Sequence, residues 1–444
     1  MPLSVIPAVL ATFCDHLAFR FHAGTALRIP LLLLGILLAH GRRTVTSWLR
    51  AADITTQFRQ AYHSLGRLGH KAPACSSAAL RTALPCGPID GPLVFAVDDS
   101  PTARYGPHVE GAGIHHNPTP GPAGAKHLYG HVWVTVALLA RHPAWHTLAL
   151  PVRADLYIRH KDVEKMPRER SWTFRTKLQR AAAQLAWLAQ HADVAGRERW
   201  VVVDGAYGKR PFLQAAQREG FLVVSRLRKD AALFSLPPSQ RRPGQRGPMP
   251  TYGKERISLA RRAAHRHGWQ QVECVQYGKR VSKTIKTFVA TWRPAGGAIR
   301  VVLVKEEDGT WLAFFCTKVT ATAQEILERA ADRGALEQTF KDVKEVWGAG
   351  EQQVRNVDSN VGCCNANLWM ATLTEAWAWH KEDEALSDRR ACPWDKQERR
   401  PSHADKRKAL QREILRERME GVLQGRPSKA EIRDLVEELL QRAA

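Results

Sequence analysis

The sequence predicts an α/β protein: a mixed sheet flanked by helices, interrupted by a β-rich insertion, with a helical N-terminal domain and a helical C-terminal tail. Three observations predict it. Short apolar runs alternate with amphipathic helical stretches between residues 91 and 229. Alternating, hairpin-like segments then crowd into residues 230–317. Helical periodicity governs both ends of the chain.

Residues 1–90 read as a helical domain and a probable DNA contact. Within it, "IPLLLLGILLA" (29–39) is too short to span a bilayer and lacks a cationic segment before it, so it reads as a buried helix. The breaker-rich "ALPCGPIDGP" (83–92) is a linker. The strand "LVFAVDD" (93–99) follows, ending in acids. A loop rich in Gly, Pro and His runs to about Lys126, and then come strands at 128–140 and 145–152. "SWTFRTKLQRAAAQLAWLAQH" (171–191) is a helix with Leu178, Leu185 and Leu188 on one face. A strand at 199–204, a helix near 209–219 and a strand at 221–227 complete this part.

The segment 230–317 carries the loop "PPSQRRPGQRGPMP" (237–250) and alternating strands at 269–278, 283–292, 299–304 and 310–317. Helix resumes from about Thr322 to Trp347 and from about Cys364 to Lys381, within a segment 318–381. The tail, 382–444, is charged and helical, with "KAEIRDLVEELLQRAA" as its last segment.

Lys and Arg outnumber Asp and Glu, 66 to 43, for a net charge of +23. Such an excess suits a protein that neutralises a polyanion, and nucleic acid is the commonest one. The eight cysteines show no C-x-x-C spacing, and with no secretory leader they read as reduced thiols of a cytosolic protein. His108, His115, His116, His127 and His131 fit no common zinc spacing, so loop or substrate contacts are the better reading.

On a helical wheel, Arg333, Lys341 and Lys344 lie within roughly 40° of Glu337. Leu336, Phe340, Val343 and Trp347 form a stripe about 90° away. Surface i,i+4 pairing explains two of these cations, at a few tenths of a kcal/mol each. The third cation makes more sense if the cations face phosphates and the carboxylate faces a metal ion. Two more acids stand at strand ends, Asp98 (or its neighbour Asp99) and Asp204, where α/β sheets place their ligands. Magnesium takes a few carboxylate oxygens and completes its shell with water and phosphate.

These residues resemble the DDE transposases of bacterial insertion sequences, family four and its relatives, over roughly residues 91–375. Arg333, Glu337, Lys341 and Lys344 stand at that family's spacing on its Glu helix; its Tyr position is Ala330 here. Asp98-Asp99-Ser100 matches the first motif and favours Asp98 over Asp99, and Asp204-Gly205-Ala206-Tyr207 matches the second. "GHVW" (130–133) and "VLVKEEDGTWLAFFCT" (302–317) also look like segments of the family.

The resemblance implies an RNase H-like catalytic fold holding two Mg²⁺ ions, with Mn²⁺ as a substitute, on Asp98, Asp204 and Glu337. It implies Arg333, Lys341, Lys344 and Tyr207 as DNA contacts. It further implies cutting at terminal inverted repeats, joining to target DNA, a homodimer in the synaptic complex, no membrane partner and a DNA-associated bacterial cytoplasmic location. Trp269, Trp292 and Trp311 are candidates to stack a flipped base, although core packing is the better reading of each. A transposase-derived DNA-binding protein without activity is the alternative. A glycosidase would explain neither the charge nor the cations around Glu337.

Overall fold

The computed structural model describes residues 7–117, 124–166, 172–240, 246–389, 394–396, 398–424, 428–433 and 436. The helices are α1 (Ala8–Ala18), α2 (Ala23–Leu38), α3 (Val45–Ala51), α4 (Phe58–His70), α5 (Ala72–Ala83), α6 (His160–Val163), α7 (Lys177–Ala189), α8 (Ala192–Ala195), α9 (Arg210–Arg218), α10 (Leu259–Ala264), α11 (Ala323–Asp332), α12 (Gly334–Glu345), α13 (Val357–Ala378), α14 (Asp383–Leu386) and α15 (His403–Gln424).

The apolar run at 93–97 makes β1 (Leu93–Ala103) a central strand. On one side lies β3 (His127–His142), antiparallel to β1 and to β4 (His146–Tyr157) beyond it. The short β2 (Gly113–His116) also pairs with β3. On the other side β5 (Arg199–Val203) and β6 (Phe221–Arg226) run parallel to β1. Parallel neighbours need crossover helices; α7 precedes β5, and α9 joins β5 to β6. The order β4-β3-β1-β5-β6, an antiparallel meander followed by two parallel strands, is the RNase H-like arrangement.

Both faces of this sheet are covered. Phe95 and Val97 face a core shared with Leu185, Leu188 and Phe212. Ala96, one residue out of step, faces the other core with Trp200, Val202, Ile326 and Leu336. Side chains alternate across a strand, so each face has its own residues.

The β-rich segment comprises β7 (Leu233–Phe234), β8 (Arg256–Ile257), β9 (Gln270–Gln276), β10 (Lys279–Trp292), β11 (Gly297–Lys305) and β12 (Trp311–Cys316). β12 pairs antiparallel with β6, matching Phe314 to Arg226 and Cys316 to Val224. The insertion thus continues the sheet built on β1, which has 12 strands among the described residues.

Helices α1, α2, α4 and α5 pack against α13, and α3 packs on α2 and α4. The leucine-rich run is buried in α2, as its composition requires. Among the described residues no helix is long and apolar enough to cross a membrane, and the seven described cysteines are unpaired.

Three local expectations change. The loop expected from Ser100 is shorter, because β1 runs on to Ala103 along β3 despite its polar residues, and β2 lies within the remainder. The helix expected from Thr322 to Trp347 divides at Arg333 into α11 and α12. The next helix begins at Val357, not Cys364, where the Asn356 side chain accepts from the backbone N–H groups of Asp358 and Ser359. Buried polar residues hid that start: Asn360 donates to the Val354 carbonyl, and Asn365 bonds both the N–H and the carbonyl of Ala154 on β4. Most of the terminal segment 429–444 lies outside the described residues.

Candidate active site

The parallel register of β1 and β5 matches Val97 to Val203. The next residue on each strand is an aspartate, so Asp98 and Asp204 stand side by side, on strands about 4.8 Å apart. Their parity is that of Ala96, Trp200 and Val202, so both carboxylates belong to the face covered by α11 and α12. Asp99 belongs to the opposite face, where Lys177 Nζ lies 2.6 Å from its Oδ2 and the Tyr207 hydroxyl donates to its Oδ1 at 2.8 Å.

Arg333 joins the helix to the strand. Its guanidinium donates to Asp98 Oδ2 at 2.5 Å and to Glu337 Oε1 at 2.7 Å. The break between α11 and α12 lies at this residue, where the Leu336 N–H bonds the Arg333 carbonyl in a tightened turn. Tyr277 occupies the space beside Gly334: a Cβ there would come 3.0 Å from its ring. Tyr277 and Gly278 form the two-residue turn between β9 and β10, both at positive φ (51° and 77°).

The electrostatics suit a cation. Burial pushes the Asp98 carboxyl up to about 6, Arg333 opposes the rise, and the neighbouring charges of Asp99 and Asp204 add to it. Asp204 forms no ion pair among the described residues; its Oδ2 accepts only weakly from the Ala206 N–H, at 3.3 Å. Two adjacent acids short of positive charge are oxygen donors of the type that hard divalent cations take. Glu337 stands one step away. Its side chain is 61% exposed and turned onto Arg333, and among the described residues no three acidic, His or Cys side chains close up as a metal-holding group. The structure therefore brings Asp98, Asp204, Arg333 and Glu337 into one neighbourhood, with the arginine occupying the space between the acids.

The other expected residues divide. Lys344 is half-buried with no ion pair among the described residues, and burial lowers its ammonium below the ordinary lysine value. Lys341 is exposed and does not pair with Glu337. Tyr207 is not available to a DNA strand: it is 2% exposed, and its hydroxyl is committed to Asp99. Trp292 is in the core against Phe315, while Trp269 and Trp311 are half-buried beneath Lys286 and Lys229. His131 is fully buried, accepting from Arg104 and bonded to the Glu110 carbonyl; burial pushes its imidazole down to about 3.

Sequence reading missed several neighbours of the site. A groove of 370 Å³ beside Asp204 and Arg333 is also lined by Arg226, Tyr277 and Lys283. No motif marks these residues, because they come from β6 and from the β9–β10 hairpin.

Residues 16–294 match the sequence family described as DDE superfamily endonuclease. The match takes in Asp98 and Asp204 and ends before α12. No curated protein sequence matches the chain. One similar solved structure is a piggyBac transposase synaptic complex with hairpin DNA, determined by cryo-electron microscopy. It is 11% identical with a TM-score of 0.39, and the likeness covers 88% of this chain and 63% of that one, less than two thirds of its length.

Proposed function

The chain belongs to the DDE superfamily endonucleases, and from that premise we propose that it is the DNA transposase of an insertion sequence. It cuts the element's ends and joins them to target DNA by phosphoryl transfer. One observation carries the reading: Asp98 and Asp204 stand together at the ends of two parallel strands, on the face where α12 presents Glu337 and Arg333.

Asp98, Asp204 and Glu337 would hold two Mg²⁺ ions, with Mn²⁺ as a substitute. When bound, such ions supply activation of a water or a 3′-hydroxyl and stabilisation of the leaving oxygen. Glu337 joins the two aspartates once Arg333 moves from between them. Released in that way, Arg333 becomes free to meet a phosphate, beside Lys341 and Lys344, which has no ion pair among the described residues. DNA ends are then gripped by cations on one helix and positioned against acids on the strands. Two ends must be held together for transposition, so the working form is a homodimer on DNA.

The test mixes the protein, Mg²⁺ and DNA carrying the terminal inverted repeats. Wild type is expected to cut at the ends, while Glu337→Gln binds the same DNA with no detectable cutting. Equal cutting by both would remove Glu337 from the mechanism. Binding without cutting by wild type would favour a transposase-derived DNA-binding protein, a reading that the Arg333 bridge makes worth separating. Titration calorimetry with Mg²⁺ and cleavage-inert DNA reads the ion directly, and heat lost in Asp204→Asn is expected.

A further inference from the structure

The tip of the β9–β10 hairpin reaches the helix that carries Glu337. Tyr277 lies against Gly334, the first residue of α12. Gly278 lies against His146, the first residue of β4, where a Cβ would come 2.3 Å from the imidazole. A glycine at each contact lets the tip seat this closely. Behind the tip, the Val275 N–H donates to Glu328 Oε1 at 3.1 Å. Arg141 joins the other Glu328 oxygen to Asp332, and the Thr147 hydroxyl donates to the second Asp332 oxygen. Arg333 is therefore flanked by two held residues. Asp332 is tied to β3 and β4, and Gly334 is beneath the tyrosine.

Tyr277 lines two spaces at once. One is the 370 Å³ groove beside Asp204 and Arg333. The other is a cavity of 630 Å³, lined by Ala335, Thr339 and Asp342 on the face of α12 turned away from Glu337. The Arg333 side chain is 21% exposed where that of Glu337 is 61% exposed, so the bridging guanidinium is covered while its partner is open. Tyr277 is part of the groove wall beside it. Yet the tyrosine itself is 75% exposed and rests on a residue without a side chain, so little apolar area holds it in place. A contact so lightly held opens at small cost.

We propose that Tyr277 is a positioning residue that latches α12 in its arginine-bridged state, and that a divalent cation enters among Asp98, Asp204 and Glu337 only after the hairpin tip has lifted. With the ring seated, the backbone at Gly334 cannot turn and Arg333 stays on Asp98. With the ring gone, Gly334, at the break between α11 and α12, is free to rotate and lets the guanidinium leave. The insertion thereby controls when the site loads. The latch rests on the reading of the three carboxylates as metal ligands and needs no statement about which DNA the protein acts on.

The experiment uses the full chain without DNA and takes Mn²⁺ as the probe, with the free ion read by electron paramagnetic resonance. Asn-Gly is a favoured pair for a two-residue turn with positive φ at both positions, so Tyr277→Asn removes the ring and keeps the hairpin. It is expected to tighten Mn²⁺ binding about fivefold or more, since a site that is plugged most of the time binds in proportion to its open fraction. Gly334→Ala, whose Cβ would come 3.0 Å from the ring, displaces the tyrosine from the other side and should shift affinity in the same direction. In an Arg333→Met background, Tyr277→Asn should change affinity by no more than about twofold, because no bridge is left to release. Hydrogen exchange of the backbone amides at 334–337 should quicken in Tyr277→Asn, while those of β9 and β10 keep their wild-type rates.

Equal Mn²⁺ affinity in wild type, Tyr277→Asn and Gly334→Ala overturns the latch and leaves the metal site standing. A gain that persists undiminished in Arg333→Met does the same, because the ring would then act by another route. Weaker binding in Tyr277→Asn also overturns it, since the ring would be supporting the site and not closing it. Mn²⁺ uptake by no form of the protein, or uptake that Asp204→Asn does not reduce, overturns the metal reading and the latch with it.

Discussion

Asp98 and Asp99 are adjacent in the chain and face different chemistry. Asp98 meets Arg333 beneath α12, whereas Asp99 is held by Lys177 and Tyr207 on the α7 side. Asp99→Asn breaks a part-buried ion pair and weakens a buried hydroxyl's acceptor, so it is expected to cost about 1–3 kcal/mol. Asp98→Asn removes a charge that burial and Asp204 already disfavour. Its melting temperature should hold or rise slightly while DNA cleavage disappears. Melts and cleavage assays on the two variants should therefore separate, and a destabilised Asp98→Asn that still cuts would contradict the assignment of faces. The alternation itself was legible in "LVFAVDD". Which helix covers which face was not, because Lys177 lies 78 residues from Asp99 and Arg333 lies 235 from Asp98.

At the scale of elements, strands with strong apolar runs were readable, and contacts that depend on partners were not. The strands expected from composition at 199–204 and 221–227 are β5 (Arg199–Val203) and β6 (Phe221–Arg226). The division of α11 from α12 was not readable, since the Tyr277 ring that sits against Gly334 comes from a distant hairpin. The union of the insertion with the sheet built on β1 depends likewise on a β12–β6 ladder that no local pattern announces. The crossing of α4 and α13 is a third case, and it carries a prediction. A Cβ at Gly362 would lie 2.2 Å from the Leu65 carbonyl oxygen, and one at Gly69 would lie 1.8 Å from that of Asp358. Both obstacles are backbone, which cannot swing aside. Gly362→Ala is expected to destabilise by about 1–3 kcal/mol or more as the helices are forced apart, measured by urea unfolding. Gly421→Ala, where a Cβ meets nothing within 4 Å on α15, should be neutral or slightly stabilising. Similar effects at both positions would contradict the tight crossing.

Across the whole molecule, α15 ties the end of α2 to the end of α12. Arg407 donates to the Leu37 and Ala39 carbonyls at the end of α2 and to the Val346 carbonyl just past α12. His403 accepts at Nε2 from the Trp347 indole, at 2.7 Å, so its ring proton sits on Nδ1 and faces Glu375 at 2.6 Å. Lys406, 1% exposed, reaches the other Glu375 oxygen at 2.5 Å. Burial alone would raise the Glu375 carboxyl; Lys406 and His403 outweigh it and hold the group down to about 2. A carboxyl depressed from about 4.5 in the unfolded chain contributes stability that is complete above that pH and is lost as pH falls through about 4.5 toward about 2. Lys406→Met leaves a buried carboxylate short of its cation and is expected to cost about 3–5 kcal/mol at pH 7. Adding Glu375→Gln to that variant should recover much of the loss, because the stranded charge is gone. The same double variant should also flatten the fall in melting temperature between pH 4.5 and 2. An acid limb of unchanged steepness would mean that other carboxylates govern it. Full additivity of the two substitutions would mean that α15 is not anchored to α13 through this pair.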